Sequence, residues 1–154
     1  MTEYQIEPDD LTSAAVLDLL RLHLEEMHRW SPACKVHAMP PERLREPDVS
    51  FFAVCDGDHL AAVGALKALG AKRGELKSMR AAPAYRGKGA GEALLQHLIS
   101  EARSRGYIWL GLETGRPEEF RPAQRLYEKH GFAECAAFGD YVSDEFSLCM
   151  EKHL

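Results

Sequence analysis

Six consecutive residues, Arg86-Gly87-Lys88-Gly89-Ala90-Gly91, carry the plainest chemical signal in the chain. Their three glycines stand just before a run of leucines at helical spacing, although each glycine costs a helix roughly 1 kcal/mol against alanine. Without Cβ atoms, Gly87, Gly89 and Gly91 let a ligand approach the backbone closely. The first turn of the following helix has unpaired N–H groups and the positive end of the helix dipole. Such a turn can bind phosphate or pyrophosphate, with Arg86 and Lys88 as charge partners. The same residues also fit a tight turn that takes no ligand. Two common phosphate motifs are excluded. No Ser or Thr follows Lys88 as in a P-loop, and the first glycine of the dinucleotide fingerprint is missing.

The turn must be placed by the elements around it. Tyr4 to Glu7 reads as a short first strand ended by Pro8. Residues 9–30 form an amphipathic helix with Val16, Leu17, Leu20, Leu24 and Met27 as its apolar stripe. Residues 31–48 hold four prolines and read as a loop with one short helical turn. Residues 50–69 are two apolar runs around Asp56-Gly57, a hairpin signal. A turn at Gly70 to Gly74 leads into a third strand over 74–82. The helix after the glycines buries Leu94, Leu95, Leu98, Ile99 and Ala102 and stops near Gly106. A strand over 107–114 and a helix over 121–132 follow, the helix opened by Pro122 and capped by Gly131. Antiparallel strands over 133–142 and 144–152 close the chain. The order β-α-loop-β-β-β-α-β-α-β-β predicts one mixed α/β domain over residues 1–154.

Composition bounds the function. A chain of 154 residues with 45% hydrophobic residues can bury one sizeable core. The net charge of −5 argues against general nucleic-acid binding. Yet Lys72, Arg73, Lys77, Arg80, Arg86 and Lys88 cluster with only Glu75 among them. That cluster fits a small anionic ligand or a solvated surface strip. The four cysteines form no CxxC pair, so neither a disulfide framework nor a metal site is expected. The N-terminus is polar, and no apolar run approaches the roughly 18 residues that span a bilayer. A reducing cytoplasm, with no membrane partner, is the expected setting.

The glycine turn matches R-x-x-G-x-G/A. A strand ending Ser78-Met79-Arg80-Ala81-Ala82-Pro83 precedes it, and Arg125-Leu126-Tyr127-Glu128-Lys129-His130-Gly131-Phe132 comes later. In this combination, and over most of its length, the sequence resembles the GNAT superfamily of N-acetyltransferases. The resemblance implies a mixed, mostly antiparallel sheet of six or seven strands flanked by about four helices. It implies transfer of an acetyl group from acetyl-CoA to the primary amine of a small molecule, with CoA as product. A protein or peptide acetyltransferase and a non-catalytic acyl-CoA-binding module are the alternatives. The amides from Gly87 through Lys88, Gly89 and Ala90 to Gly91 would cradle the pyrophosphate, with Arg86 beside them. The backbone of Met79, Arg80 and Ala81 would pair with the pantetheine arm. That strand and the one at Ile108 to Thr114 would splay apart around the thioester.

The resemblance also suggests roles for single residues. Tyr127 stands where the family's tyrosine protonates the departing thiolate, with Ala123 beside it at the cofactor. Ala123, Leu126, Tyr127 and His130 also make an ordinary packed helix face. Glu113 is the first candidate for the base that deprotonates the amine, or a solvated rim residue at the end of its strand, and Glu75 is a more distant candidate. Arg80 departs from the small or apolar residue usual at its position. It would hold a substrate carboxylate, bind a phosphate or lie at an edge. Phe120 stands where the family often has asparagine and would form an apolar wall. Met27, His28, Trp30, His37 and Met39 would line the acceptor pocket or belong to a capped loop packed on the core, and Phe138, Asp140 and Tyr141 would form the other rim. A homodimer is expected by resemblance alone.

Overall fold

The computed structural model describes residues 3–32, 36 and 38–154. Seven strands form one sheet: β1 (Gln5–Pro8), β2 (Val49–Asp56), β3 (His59–Gly70), β4 (Arg73–Ala81), β5 (Trp109–Gly115), β6 (Ala133–Glu134) and β7 (Ser147–His153). Their order is β1-β2-β3-β4-β5-β7-β6, and only β4 and β5 run parallel. Side chains alternate across the sheet with period two, so neighbouring Phe51 and Phe52 enter different cores. Phe51, Val63 and Ala65 pack with Val16, Leu19 and Leu20 of α1 (Ala14–Trp30) and Leu44 of α2 (Pro41–Leu44). Phe52, Val54 and Leu66 pack with Leu94, Leu95 and Leu98 of α3 (Ala90–Ser104) and Tyr127 of α4 (Arg121–Lys129). This is the mostly antiparallel sheet flanked by four helices that the resemblance implies.

Three local expectations shift. Helix α1 begins at Ala14, because the Ser13 hydroxyl accepts the Val16 N–H at 3.2 Å, a cap stabilising the helix by about 1 kcal/mol. Its buried line is Val16, Leu19, Leu20, His23 and Glu26, while Leu17, Leu24 and Met27 are only half-buried. The helix is rotated from its apolar stripe because two polar residues face the site described below. The first hairpin turns on Gly57-Asp58, with Asp56 paired to His59 and Gly57 at φ +57°.

The end of the chain departs further. The expected strand over 133–142 is reduced to β6, and residues 135–146 form no further strand. Gly139 turns the backbone at φ +58°. Phe138 then packs edge-on against Trp109, ring centroids 5.1 Å apart. The Tyr141 hydroxyl donates to the Glu75 carboxylate. These tertiary contacts outcompete a longer ladder on this edge of the sheet.

Candidate active site

Strands β4 and β5 pair only from Arg73 opposite Trp109 to Leu76 opposite Leu112. Beyond that point β4 stays with β3 and β5 stays with β7. The cause of the divergence is local. Ser78 sits at φ +54°, and the β3–β4 register shifts between Val63 and Ala65. A bulge of this kind bends its strand and here leads β4 away from β5. A cavity of about 350 Å³ lies at the split. Met79, Arg80 and Ala81 border it on β4, Glu113 and Thr114 on β5, and Ala123 and Tyr127 on α4. Trp30 and Phe120 meet edge to face at 5.5 Å and form a wall.

Gly115 supports that wall. A Cβ there would stand 2.2 Å from the Phe120 ring. The Gly115 carbonyl also accepts a 2.6 Å bond from the buried Gln124 amide, which ties β5 to α4. Gly115→Ala is expected to destabilise the fold by about 1–3 kcal/mol by overpacking. The check is a lower midpoint in chemical denaturation at unchanged slope.

The glycine turn lies beside the cavity mouth, where Arg86 is one of the lining residues. Gly87 and Gly89 have φ of +72° and +86°, backbone that side chains with a Cβ rarely adopt. Gly89 caps α3 without any side-chain bond. Among the described residues, the N–H groups of Gly87, Gly89 and Gly91 have no backbone acceptor. A Cβ on Gly87 or Gly89 would meet nothing within 4 Å, so the space above the turn is open. The turn is held from behind. The Tyr4 hydroxyl donates to the Lys88 carbonyl at 2.7 Å, and that of Tyr85 to Asp56 at 2.8 Å.

The basic segment is not one patch. Arg73 stacks on Trp109 at 4.0 Å, and Lys77 lies 3.5 Å from Glu75 and 2.6 Å from the Tyr141 hydroxyl. Arg80 and Arg86 both turn to Glu26 on α1, Arg86 at 2.9 Å. Glu26 is only 6% exposed, and the sequence reading overlooked it. Its position three residues after His23 on the buried line of α1 was the available signal. The Arg80 guanidinium also lies 5.7 Å from the Trp30 ring centre. Burial lowers the Arg80 pKa to about 10, leaving it charged at neutral pH. Burial, with Arg80 nearby, lowers His23 to about 4 and keeps it neutral.

The carboxylates divide in a similar way. Glu113 accepts a 2.6 Å bond from the Ser147 hydroxyl, yet burial pushes its pKa up to about 7. The Ser147 bond and the Lys77 charge oppose that rise, while Glu75 adds to it. Glu75, 4% exposed, is engaged by Lys77 and Tyr141. The Tyr127 side chain is buried against Phe132 with ring centres 5.8 Å apart, and burial raises its hydroxyl pKa.

Several expected acceptor residues lie elsewhere. His28 is exposed and does not line the cavity. Tyr141 is drawn onto Glu75 and Lys77 instead of the cavity rim. Met39 is buried in the core between α1, α2 and the sheet, and Asp140 is exposed. His37 lies outside the described residues. Trp30, Met27 and Phe120 do border the cavity.

The sequence profile of the Acetyltransferase (GNAT) family matches residues 16–132, from α1 through the glycine turn to the end of the α4 motif. The chain belongs to the GNAT family of acetyltransferases. This GNAT chain is 45% identical over 149 residues to YsnE of Bacillus subtilis, described as an uncharacterized N-acetyltransferase. The match covers 97% of this chain and 99% of YsnE. It is also 36% identical over 137 residues to an IAA acetyltransferase of Azospirillum brasilense, covering 85% and 88% of the two chains. A Bacillus subtilis acetyltransferase solved in complex with CoA shares the GNAT fold, with TM-score 0.71, 18% identity and 99% of each chain covered. Among the described residues, no helix of this GNAT protein is long and apolar enough to cross a membrane.

Proposed function

We propose that this acyltransferase moves the acetyl group of acetyl-CoA to the primary amine of a small molecule, by direct attack in a ternary complex. The observation that carries the proposal is the cavity at the β4–β5 split. It brings a carboxylate with pKa about 7, Glu113, together with the Tyr127 side chain. A volume of about 350 Å³, walled by the Trp30–Phe120 contact, suits a small molecule better than an open peptide groove. The naming of a relative as an IAA acetyltransferase supports a small acceptor. The CoA complex of a protein with this fold supports the donor.

Acetyl-CoA supplies the thioester. The N–H groups of Gly87, Gly89 and Gly91, which have no backbone acceptor among the described residues, receive its diphosphate, and the β4 backbone from Met79 to Ala81 aligns its arm. Glu113, as the carboxylate, takes one proton from the acceptor ammonium. The freed nitrogen forms the new N–C bond to the acetyl carbon as the C–S bond breaks. Tyr127, kept protonated by burial, gives its hydroxyl proton to the leaving sulfur. It regains a proton from the nitrogen through water. The products are the N-acetyl amine, the CoA thiol and the proton on Glu113.

The test is calorimetry with acetyl-CoA followed by a thiol-release screen across small amines and short peptides. Absence of acetyl-CoA binding would overturn the proposal, and turnover confined to peptides would overturn the small acceptor. Tyr127→Phe is expected to lower kcat by about 100-fold while leaving acetyl-CoA affinity within a few-fold. Unchanged turnover would return Tyr127 to a packing role.

A further inference from the structure

The cavity lining carries charges of both signs. On the α1 side, among the described residues, Arg80 and Arg86 share one carboxylate, Glu26. Glu26 meets Arg80 at a terminal guanidinium nitrogen. Among the described residues, Arg80 Nε is buried without a hydrogen-bond partner, and so is His23 Nδ1. Both side chains line the cavity. A buried polar group left unpaired carries the cost of its desolvation. A neutral His23 cannot balance the charge of Arg80. On the β5 side stands Glu113, with Lys77 and Glu75, themselves 3.5 Å apart, near enough to act on it electrostatically. Met27, Trp30 and Phe120 add an apolar and aromatic wall to the same lining.

We propose that the acceptor is a zwitterion, an α-amino acid with an apolar or aromatic side chain. Its carboxylate docks on Arg80 and its ammonium faces Glu113. The guanidinium suits a carboxylate because its planar donors match two oxygens and its charge persists at neutral pH. Glu26 acts as a positioning residue that holds the guanidinium against α1. The side chain of the amino acid lies along Trp30 and Phe120. This inference rests on the N-acetyltransferase reading above and adds the acceptor class.

The test uses the whole chain with saturating acetyl-CoA and matched acceptors. These are L-phenylalanine, L-tryptophan, L-leucine and L-methionine, each beside its carboxamide and its decarboxylated amine. For at least one amino acid, kcat/KM is expected to exceed that of the decarboxylated amine by about 10- to 100-fold, the range of a charge-assisted contact. Arg80→Gln is expected to bring that ratio close to one. Should Arg80→Gln fail to fold with Glu26 unpaired, the double variant Glu26→Gln/Arg80→Gln removes both charges and carries the same expectation. A carboxamide or decarboxylated amine used as well as its amino acid overturns the zwitterion while the acetyltransferase reading stands. So does failure of every amino acid with a protein that binds acetyl-CoA in calorimetry. Absence of acetyl-CoA binding instead overturns the reading beneath it.

Discussion

Glu113→Gln is expected to lower kcat/KM by two to four orders of magnitude, the usual contribution of a positioned base. The pH profile should change with it. A pKa of about 7 means that Glu113 is mostly protonated below neutrality and unable to accept a proton. The native rate should therefore climb as pH rises towards 7 and level off above it, and the variant should lack that limb. Stability should move the other way. The folded state holds the Glu113 proton up to about pH 7, whereas an unfolded carboxyl releases it near 4.5. Native stability consequently falls as pH rises through that window, by on the order of 3 kcal/mol. Glutamine keeps an acceptor for the Ser147 hydroxyl and carries no charge to desolvate. Above pH 7 the variant should melt at a higher temperature than the native protein. A variant with native turnover would remove Glu113 from the chemistry.

Gly89→Val should weaken acetyl-CoA binding by at least 100-fold, read by calorimetry and by KM for acetyl-CoA. At φ +86°, a side chain with a Cβ costs about 1–2 kcal/mol in backbone strain. Relief of that strain would rotate the amides away from their common direction. The new side chain would also project into the open space above the turn, where a diphosphate must approach the N–H groups. Gly91→Ala is the contrast. Gly91 has no positive φ, and its added Cβ would touch only Leu126 at 3.9 Å. Its loss of affinity should stay within a few-fold, offset by better helix propensity in α3. Equal losses at Gly89 and Gly91 would show that backbone conformation is not what the turn contributes.

What the sequence by itself determined about this protein is what local rules govern. The glycines of the turn, the first hairpin at Gly57, the leucine stripe of α3 and the Pro122 and Gly131 ends of α4 are each readable within a few residues. Together they carry the family and the fold, and they place the glycine turn proposed to receive acetyl-CoA. Tertiary structure alone decided how the charges are matched. Arg86 finds Glu26 across 60 positions, and Tyr141 finds Glu75 across 66. No periodicity in a sequence encodes such partners, because a charge is compensated by whatever the fold brings within a few ångströms. The same limit hid the shortened β6, ended by aromatic contacts, and the bulge at Ser78 that opens the cavity. Glu113 was visible at the end of its strand, but its pKa was not, because desolvation depends on everything that covers the group.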